Sequence, residues 1–582
     1  MHSVLKTAVW LSACGGLHLV GANPVKLTHM AIDEHSDINI LPQDSLTHLS
    51  AHVTSKNESP KVFVHATAQE ALTDKGAAAA ASFKNEYNTT GWDKLWVTTS
   101  EKENVESALF AAGYLEGMLT WQSIYSSWVN MRADWFDGGL IPIGLQEWIA
   151  DNIEWTRYNA EHDLDHWTQR ERAFWAGVNN TIDQLDGLVM GYQDHADAAR
   201  ELTKVDIYML SADGDLETLV PMYTEESRKE KAEQEQNEWE SGQEEQRKND
   251  RCSALFKVLP DKSDIFMGHA TWDHYQLMVR QLKTYDFRLQ CSPESIARGE
   301  CEVQRNAISF SSTPGFLWSL DDFYLTTAGL LVMETTNNNY NDALTHTITH
   351  KSVPCWIRGT VANLLAEDPE EWSEIFGIHN SGTYDSQWMV LDLNQFTAGQ
   401  DLPPKSFYVL EQLPGIIRYQ DMTQQLNEDG YWASYNVPYF PEIYEKSGWS
   451  DKYEKGGDEW SHEKCPRANI FRQQQSSVTD MDSMKRMLRY NDYENDPLSL
   501  GQPGNAVAGR WDLAKGEKFQ LDGAIDAKVT NIAMGRDMKF WAVNGPTSDQ
   551  QPVFTWKAYE NITHMGQPDV FDFDWVEFQP FP

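Results

Sequence analysis

The 582-residue chain is interrupted by one tract that no packed domain could hold. From Glu225 to Arg251 it is dominated by Glu, Gln, Lys and Arg, a composition that stays solvated because it has little apolar surface to bury. Directly behind it, Cys252 opens the run CSALFKVLP, followed by the turn DKSD and then IFMGHATW. Two apolar runs around a short polar turn predict a β-hairpin. The chain must therefore fold around a solvated connection that ends at a strand cysteine. This is the layout of a precursor whose internal cut frees a residue able to serve as both nucleophile and base. The plainer reading is a flexible linker followed by a buried strand cysteine.

With a turn centred near Lys262, position 252 lies opposite positions 271 to 273. His269, Thr271 and Trp272 then fall within a residue or two of Cys252, gathering a thiol, an imidazole, a hydroxyl and an indole at one strand end. A one-residue slip of register exchanges the faces, so the pattern alone does not fix which of them the thiol meets.

Charge narrows the partners. The sequence has 47 Lys and Arg against 87 Asp and Glu, a net charge of −40, which argues against nucleic acid and against an anionic membrane surface. An acidic lumen would relieve the self-repulsion. Aromatic residues make up 12%, including 23 Trp, enough for a large core. There is no G-x-S-x-G elbow, no phosphate-binding loop and no Gly-rich dinucleotide fingerprint, so none of those chemistries is expected, nor any cofactor. The pair His346 and His350 in HTITH lacks the Glu of a zinc-protease helix, and no metal is expected either.

Met1 to Ala22 has the charged start, short apolar stretch and small-residue end of a secretory signal. No other apolar run approaches a membrane-spanning length. N-x-Ser/Thr sequons at Asn57, Asn88, Asn179 and Asn561 suit a secretory route. Of six cysteines, Cys14 leaves with the signal, and the odd remainder implies a free thiol, for which Cys252 is the natural choice. Cys291, Cys301, Cys355 and Cys465 can pair in three ways. The expected one is Cys291 with Cys301 around a short loop and Cys355 with Cys465.

Apolar spacing predicts helices over 101–121 and 146–197, and IYMLSADGDLETL within 205–219 reads as a strand. After the tract, 308–310, 329–334, 387–393 and 406–410 read as buried strands, with a helix at 360–365. Helices grouped apart from strands predict an α+β layered fold.

Longer blocks carry more. CSALFKVLPDKSDIFMGHATWDHY, SLDDFYLTTAGLLVMETT, NSGTYDSQWMVLD, EQLPGIIRYQDMT, GYWASYNVPYFPEIYEKSGW, PRANIFR, MLRYNDYENDPLSL, GAIDAKVT and HMGQPDVFDFDW occur in that order, with AAGYLEGMLTW and QLDGLVMGY upstream. Together they resemble the phospholipase B-like (lamina ancestor) family over nearly the whole mature chain. The resemblance implies a four-layer αββα sandwich of the N-terminal-nucleophile (Ntn) hydrolase type. It also implies a lysosomal or secreted glycoprotein, cut internally before a cysteine, with phospholipase B or amidase-like activity. It divides the chain into a signal (1–22), a helix-rich N-terminal fragment (23–224), a cleaved or excised linker (225–251) and a C-terminal fragment (252–582) that holds the nucleophile and the core sheets.

By the same resemblance Cys252 is the nucleophile and Arg251–Cys252 the bond that is cut, with His269, Trp272, Thr336, Asn436 and Arg467 as site groups. In the mechanism this suggests, His269 and Arg467 are the cations favouring the thiolate, and Asn436 donates to the oxyanion. Trp272 walls the acyl pocket, and Thr336 positions the substrate or the amine. Two residues depart from the family's usual H-N-T-W-N hairpin: Ala270 and Asp273 stand where it has asparagines. The expected partner is a lipid or N-acyl small molecule, with a homodimer possible. Peptide or N-acyl amine amidase, or a binding protein with little turnover, are the alternatives.

Overall fold

The computed structural model describes residues 44–136, 139–162, 167–223, 251–289 and 304–582. The signal, the linker up to residue 250, Cys291 and Cys301 lie outside the described residues.

Four strands precede the linker: β1 (Leu46–His52), β2 (Lys61–His65), β3 (Ala79–Lys84) and β4 (Asp93–Thr99). After it, β5 (Ser253–Val258) and β6 (Ile265–His274) form the expected hairpin, followed by β7 (Gln281–Leu289), β8 (Gln304–Ser312), β9 (Phe323–Thr326) and β10 (Leu330–Thr336). Then come β11 (Ser386–Asp392), β12 (Phe407–Leu413), β13 (Ile416–Asp421), β14 (Tyr431–Ser434), β15 (Asp522–Asn531) and β16 (Phe540–Asn544). The last are β17 (Phe554–Thr555), β18 (Val570–Phe571) and β19 (Val576–Phe578). The larger sheet has eleven strands in the order β13-β12-β11-β10-β9-β8-β7-β4-β3-β1-β2. The smaller has six, β14-β5-β6-β15-β16-β19, and β17 pairs with β18 separately.

Alternation along the strands shows how the sheets stack. On β10, Leu330 and Val332 join a core shared with helices Val105–Phe136, Gln169–His195 and Cys355–Leu365, while Leu331 and Met333 face the other sheet. On β5, Ala254 and Phe256 complete the inter-sheet core, and Leu255 points to a third core with Ala468, Ile470, Met484 and Met487. Those four sit on helices Pro466–Gln474 and Met481–Leu488. The layers run helix, sheet, sheet, helix: the α+β, αββα sandwich that the resemblance implies.

The helix layer on the large sheet is closely packed. A Cβ on Gly113 would lie 1.9 Å from the Gln184 carbonyl, and one on Gly187 1.9 Å from that of Phe110, so helices Val105–Phe136 and Gln169–His195 touch backbone to backbone.

Two expectations change. Residues 205–219 are helical, as Lys204–Ser211 and Asp213–Tyr223. A capping box between Thr203 and Asp206 starts the first, and Asp213-Gly214, which reads as a turn, lies inside the second, where Gly214 lets Tyr384 pack against the backbone. The N-terminal fragment supplies four strands of the large sheet besides its helices. Finally, Cys355 and Cys465 are buried free thiols in different layers, one in the helix-facing core of the large sheet and the other beyond the small sheet, so that bridge is not made.

Candidate active site

The hairpin register settles what the sequence left open. Ser253 pairs with Ala270 and Ala254 with His269, so continuing the ladder sets Cys252 beside Thr271. Directly paired residues share a face, and Ala254 and Met267 point between the sheets, which places His269 and Thr271 there too. Next to this point β15 bulges: Ala524 lies opposite Trp272 but Asp526 opposite Thr271, leaving Ile525 extra.

Cys252 itself is 3% exposed and has φ of 42°, a left-handed conformation costly for a residue with a Cβ. Its sulfur, a ring nitrogen of His269 and a carboxylate oxygen of Glu334 lie within 4.8 Å of one another. Burial, then the nearby Glu334, push the thiol well above its ordinary range, while the Trp272 backbone N–H, Lys528 and Arg251 act the other way. Glu334 is itself raised to about 8, mainly by burial, although Ser386 and Tyr384 bond to its carboxyl, the Tyr384 hydroxyl at 2.9 Å. Sulfur, nitrogen and oxygen are the donor types of a metal site, but both nitrogens of His269 are already engaged. Nε2 donates to the Glu334 carbonyl at 2.8 Å, and Nδ1 accepts from the Thr271 hydroxyl at 3.3 Å.

That ring is not the cation the sequence suggests. Burial and the charge of Lys528 lower His269 to about 3, so it stays neutral in an acidic lumen. The cation on this side is Lys528, which donates to Thr271 and lies 2.5 Å from Asp526 and from Asp321. Arg280 joins the same carboxylates at 2.8 and 2.9 Å. All four are fully buried, two cations against two anions.

Arg467 comes from the helix behind the small sheet. Its Nη1 donates to the Cys252 carbonyl at 2.6 Å, to Ser253 Oγ at 3.1 Å and, at 3.4 Å, to the carbonyl of Arg251. Its Nη2 donates to the Tyr435 carbonyl and to Asn436 Oδ1 at 2.6 Å. Asn436, at φ 66°, spends one amide hydrogen on the Thr336 carbonyl at 2.7 Å. Thr336 Oγ1 is buried with no hydrogen-bond partner among the described residues. Trp272 is the exception among the expected groups. Its ring faces away from the thiol, wedged between Gly509 and the Arg467 guanidinium 4.6 Å above it, with Nε1 on the Val507 carbonyl. It holds Arg467 in place instead of walling a pocket on the thiol's face.

A second charged group lies on the other side of residue 252. Arg251 is buried, with Nη1 2.8 Å from Asp273 and 3.0 Å from Glu217. Asp134, Asp213 and Asp522 interact with this group too, and His274 pairs with Asp134 at 3.2 Å. Asp273, a departure from the family hairpin, is thus the carboxylate that meets the residue at the expected cut.

The structure brings Cys252, His269, Thr336, Asn436 and Arg467 into one neighbourhood. Glu334, Lys528 and Tyr384 join them without having been singled out. A signal existed for the first two: METT puts a carboxylate in an otherwise apolar strand, and GAIDAKVT puts Asp526 and Lys528 two apart, on one face of another.

The chain is similar to known proteins over most of its length. The phospholipase B family profile matches residues 79–578. Phospholipase B-like 1 of Rattus norvegicus is 36% identical over 513 residues, covering 87% of this chain and 88% of its own. Phospholipase B-like protein C of Dictyostelium discoideum is 36% identical over 519 residues, with 87% and 88% covered. Phospholipase B of Crotalus adamanteus is 34% identical over 518 residues, with 87% and 89% covered. Among solved structures, a mutant of the conjugated bile acid hydrolase from Clostridium perfringens overlaps 50% of this chain and 89% of that one, at 10% identity and a TM-score of 0.30. With the family profile spanning residues 79–578 and relatives 34–36% identical over 87% of the sequence, the chain belongs to the phospholipase B family.

Proposed function

We propose that the protein is a phospholipase B-like hydrolase of acyl ester or amide bonds in lipids, switched on when the bond between Arg251 and Cys252 is cut. The observation that carries this is the setting of that bond. Cys252 is held in a left-handed conformation, and one guanidinium, Arg467, bonds the carbonyls on both sides of the scissile nitrogen. In the self-processing step the Cys252 sulfur attacks the Arg251 carbonyl carbon and the thiol proton passes to the peptide nitrogen of Cys252. The C–N bond breaks, and the nitrogen leaves with a proton as the new α-amine. Water then cleaves the thioester to an Arg251 carboxylate and the free thiol.

In the mature enzyme the α-amine takes the thiol proton as the sulfur attacks substrate, solving proximity on a single residue. Lys528 supplies at the thiol the positive field that a neutral His269 does not, and Arg467 places a second cation on the Cys252 carbonyl. The Trp272 N–H already points at the sulfur, and Asn436 is anchored to donate beside it. Glu334, kept protonated below about 8, spares the thiolate a neighbouring negative charge. An amidase acting on peptides or N-acyl amines is the second reading, favoured because the first bond presented to the thiol is itself an amide under Arg467. We place the protein in the lysosome lumen or outside the cell; no helix among the described residues is long and apolar enough to cross a membrane.

The test is a hydrolysis screen of processed protein against diacyl phospholipids and N-acyl amines at acid pH, with Cys252→Ala beside it. Acyl release by the wild type and none by the variant is expected. Equal release by both, or full activity after the thiol is blocked, would discard the nucleophile.

A further inference from the structure

The group around Arg251 is built for a cation and, in the uncut chain, holds one of its own. Five carboxylates surround the position: Asp134 from helix Val105–Phe136, Asp213 and Glu217 from helix Asp213–Tyr223, Asp273 at the end of β6 and Asp522 at the start of β15. The bases facing them are Arg251 and His274. Two observations mark this as more than an acidic cluster. The Arg251 guanidinium is seated in it, 2.8 Å from Asp273 and 3.0 Å from Glu217. Asp522, 2% exposed and with Arg251, Asp273 and His274 as its charged neighbours, keeps Oδ1 without a hydrogen-bond partner among the described residues. The group also reaches solvent, because the Glu217 and His274 side chains are 18% and 34% exposed.

Arg251 is the last residue of the tract proposed to be excised, and its carbonyl is the first acyl group the Cys252 thiol meets. We propose that once the linker leaves, the vacated Arg251 site is a cation subsite of the mature enzyme, selecting substrates that carry an ammonium or guanidinium group close to the scissile acyl bond. It rests on the processing reading above. The cation can come from a phospholipid head group or from an amine or basic residue on an amide substrate, and both present the same chemistry to Asp273 and Glu217. The uncut chain excludes them because Arg251 fills the site. Asp273 provides a carboxylate where the family's usual asparagine would give only a neutral amide.

The experiment measures calorimetric binding of agmatine and of glycerophosphocholine near pH 7.5, on protein whose mass shows the linker gone. Expected is saturable binding of at least one probe by the processed protein and none by uncut Cys252→Ala, in which Arg251 still occupies the site. Adding Arg251→Ala to the uncut Cys252→Ala chain should open the site without any cleavage, so failure of processing and failure of the subsite are told apart. Asp273→Asn in the processed protein should weaken binding by at least about tenfold. Agmatine alone binding assigns an amine or basic-residue source, and glycerophosphocholine alone a head group. Neither probe binding to the processed or the doubly substituted chain, equal binding to uncut Cys252→Ala, or indifference to Asp273→Asn overturns the proposal.

Discussion

Two buried charged groups flank Cys252, and they are built on different principles. On one side Lys528 and Arg280 face Asp321 and Asp526, charge for charge, fully enclosed. Although burial pushes the other way, Arg280 and Lys528 hold the Asp321 carboxyl well below the usual range. On the other side one guanidinium and one imidazole face five carboxylates, with Glu217 raised to about 7 and Asp134 to about 6, burial first among the causes. The balanced group is closed to change and suits a permanent prop under Thr271 and His269. The unbalanced group holds together only while Arg251 stays or the carboxylates take up protons, which suits a place that is emptied during maturation.

The strongest way to break the comparison is to unbalance the balanced side. Lys528→Met leaves Asp321 and Asp526 to share Arg280 and removes the donor to Thr271. A loss of ~3–5 kcal/mol in denaturant midpoints is expected at any pH where the protein folds, with processing stopped. Arg251→Met in uncut Cys252→Ala should cost less and depend on pH: about 1–3 kcal/mol at pH 8, and less at pH 5, below the values of about 7 and 6 to which Glu217 and Asp134 are raised. Equal, pH-independent losses for the two variants would erase the distinction.

At the site between them, Asn436→Ala should lower single-turnover acylation by ~10²–10³ with substrate affinity mostly kept. Unchanged acylation would remove Asn436 from the oxyanion role.

A gentler test is the pH dependence of stability. Glu334, Glu411, Glu217, Asp93 and Asp134 have folded-state values raised to about 8, 7, 7, 7 and 6. A raised acid binds more protons folded than unfolded, so its stabilisation is complete below the unfolded value and lost as pH climbs through the folded one. His269 and His462, lowered to about 3 and 4, work the other way below about pH 6.5. Five groups against two should raise Tm by a few degrees between pH 8 and pH 5. A Tm that falls over that range would contradict the directions given to these acids.

The smallest effect concerns glycans. Asn57, Asn88 and Asn561 are exposed, whereas Asn179 sits mid-helix, donating to Asp183 and accepting from Arg157. Mass mapping should find sugar on the first three and none on Asn179.

Much of this was legible in the sequence, for identifiable reasons. Alternating apolar runs fixed the hairpin and the strands at β10, β11 and β12, and the compositional break pointed to Cys252. What escaped depended on long-range contacts. Residues 205–219 carry strand-like apolar spacing, and only packing on Tyr384 shows Gly214 as a helical residue. The Cys355–Cys465 expectation failed because counting cysteines says nothing about which layer each occupies. His269 reads as a titrating group by type, and its neutrality follows from burial beside Lys528, far away in sequence but next to it in space. Trp272 was found by the motif, and its face, away from the thiol, was left undetermined by the open register.

The large sheet carries one further consequence. β4 pairs with β7 in its one seam between the strands before the linker and those after it, and that seam is parallel. A cut before Cys252 would make this a single sheet shared by two chains, stitched along one ladder. Heating would then separate partners that had folded as one molecule, and reassembly would be a second-order event between strangers rather than a loop closure. The mature protein would keep its shape by the slowness of its undoing, with an apparent melting temperature that moves with scan rate and does not return on cooling.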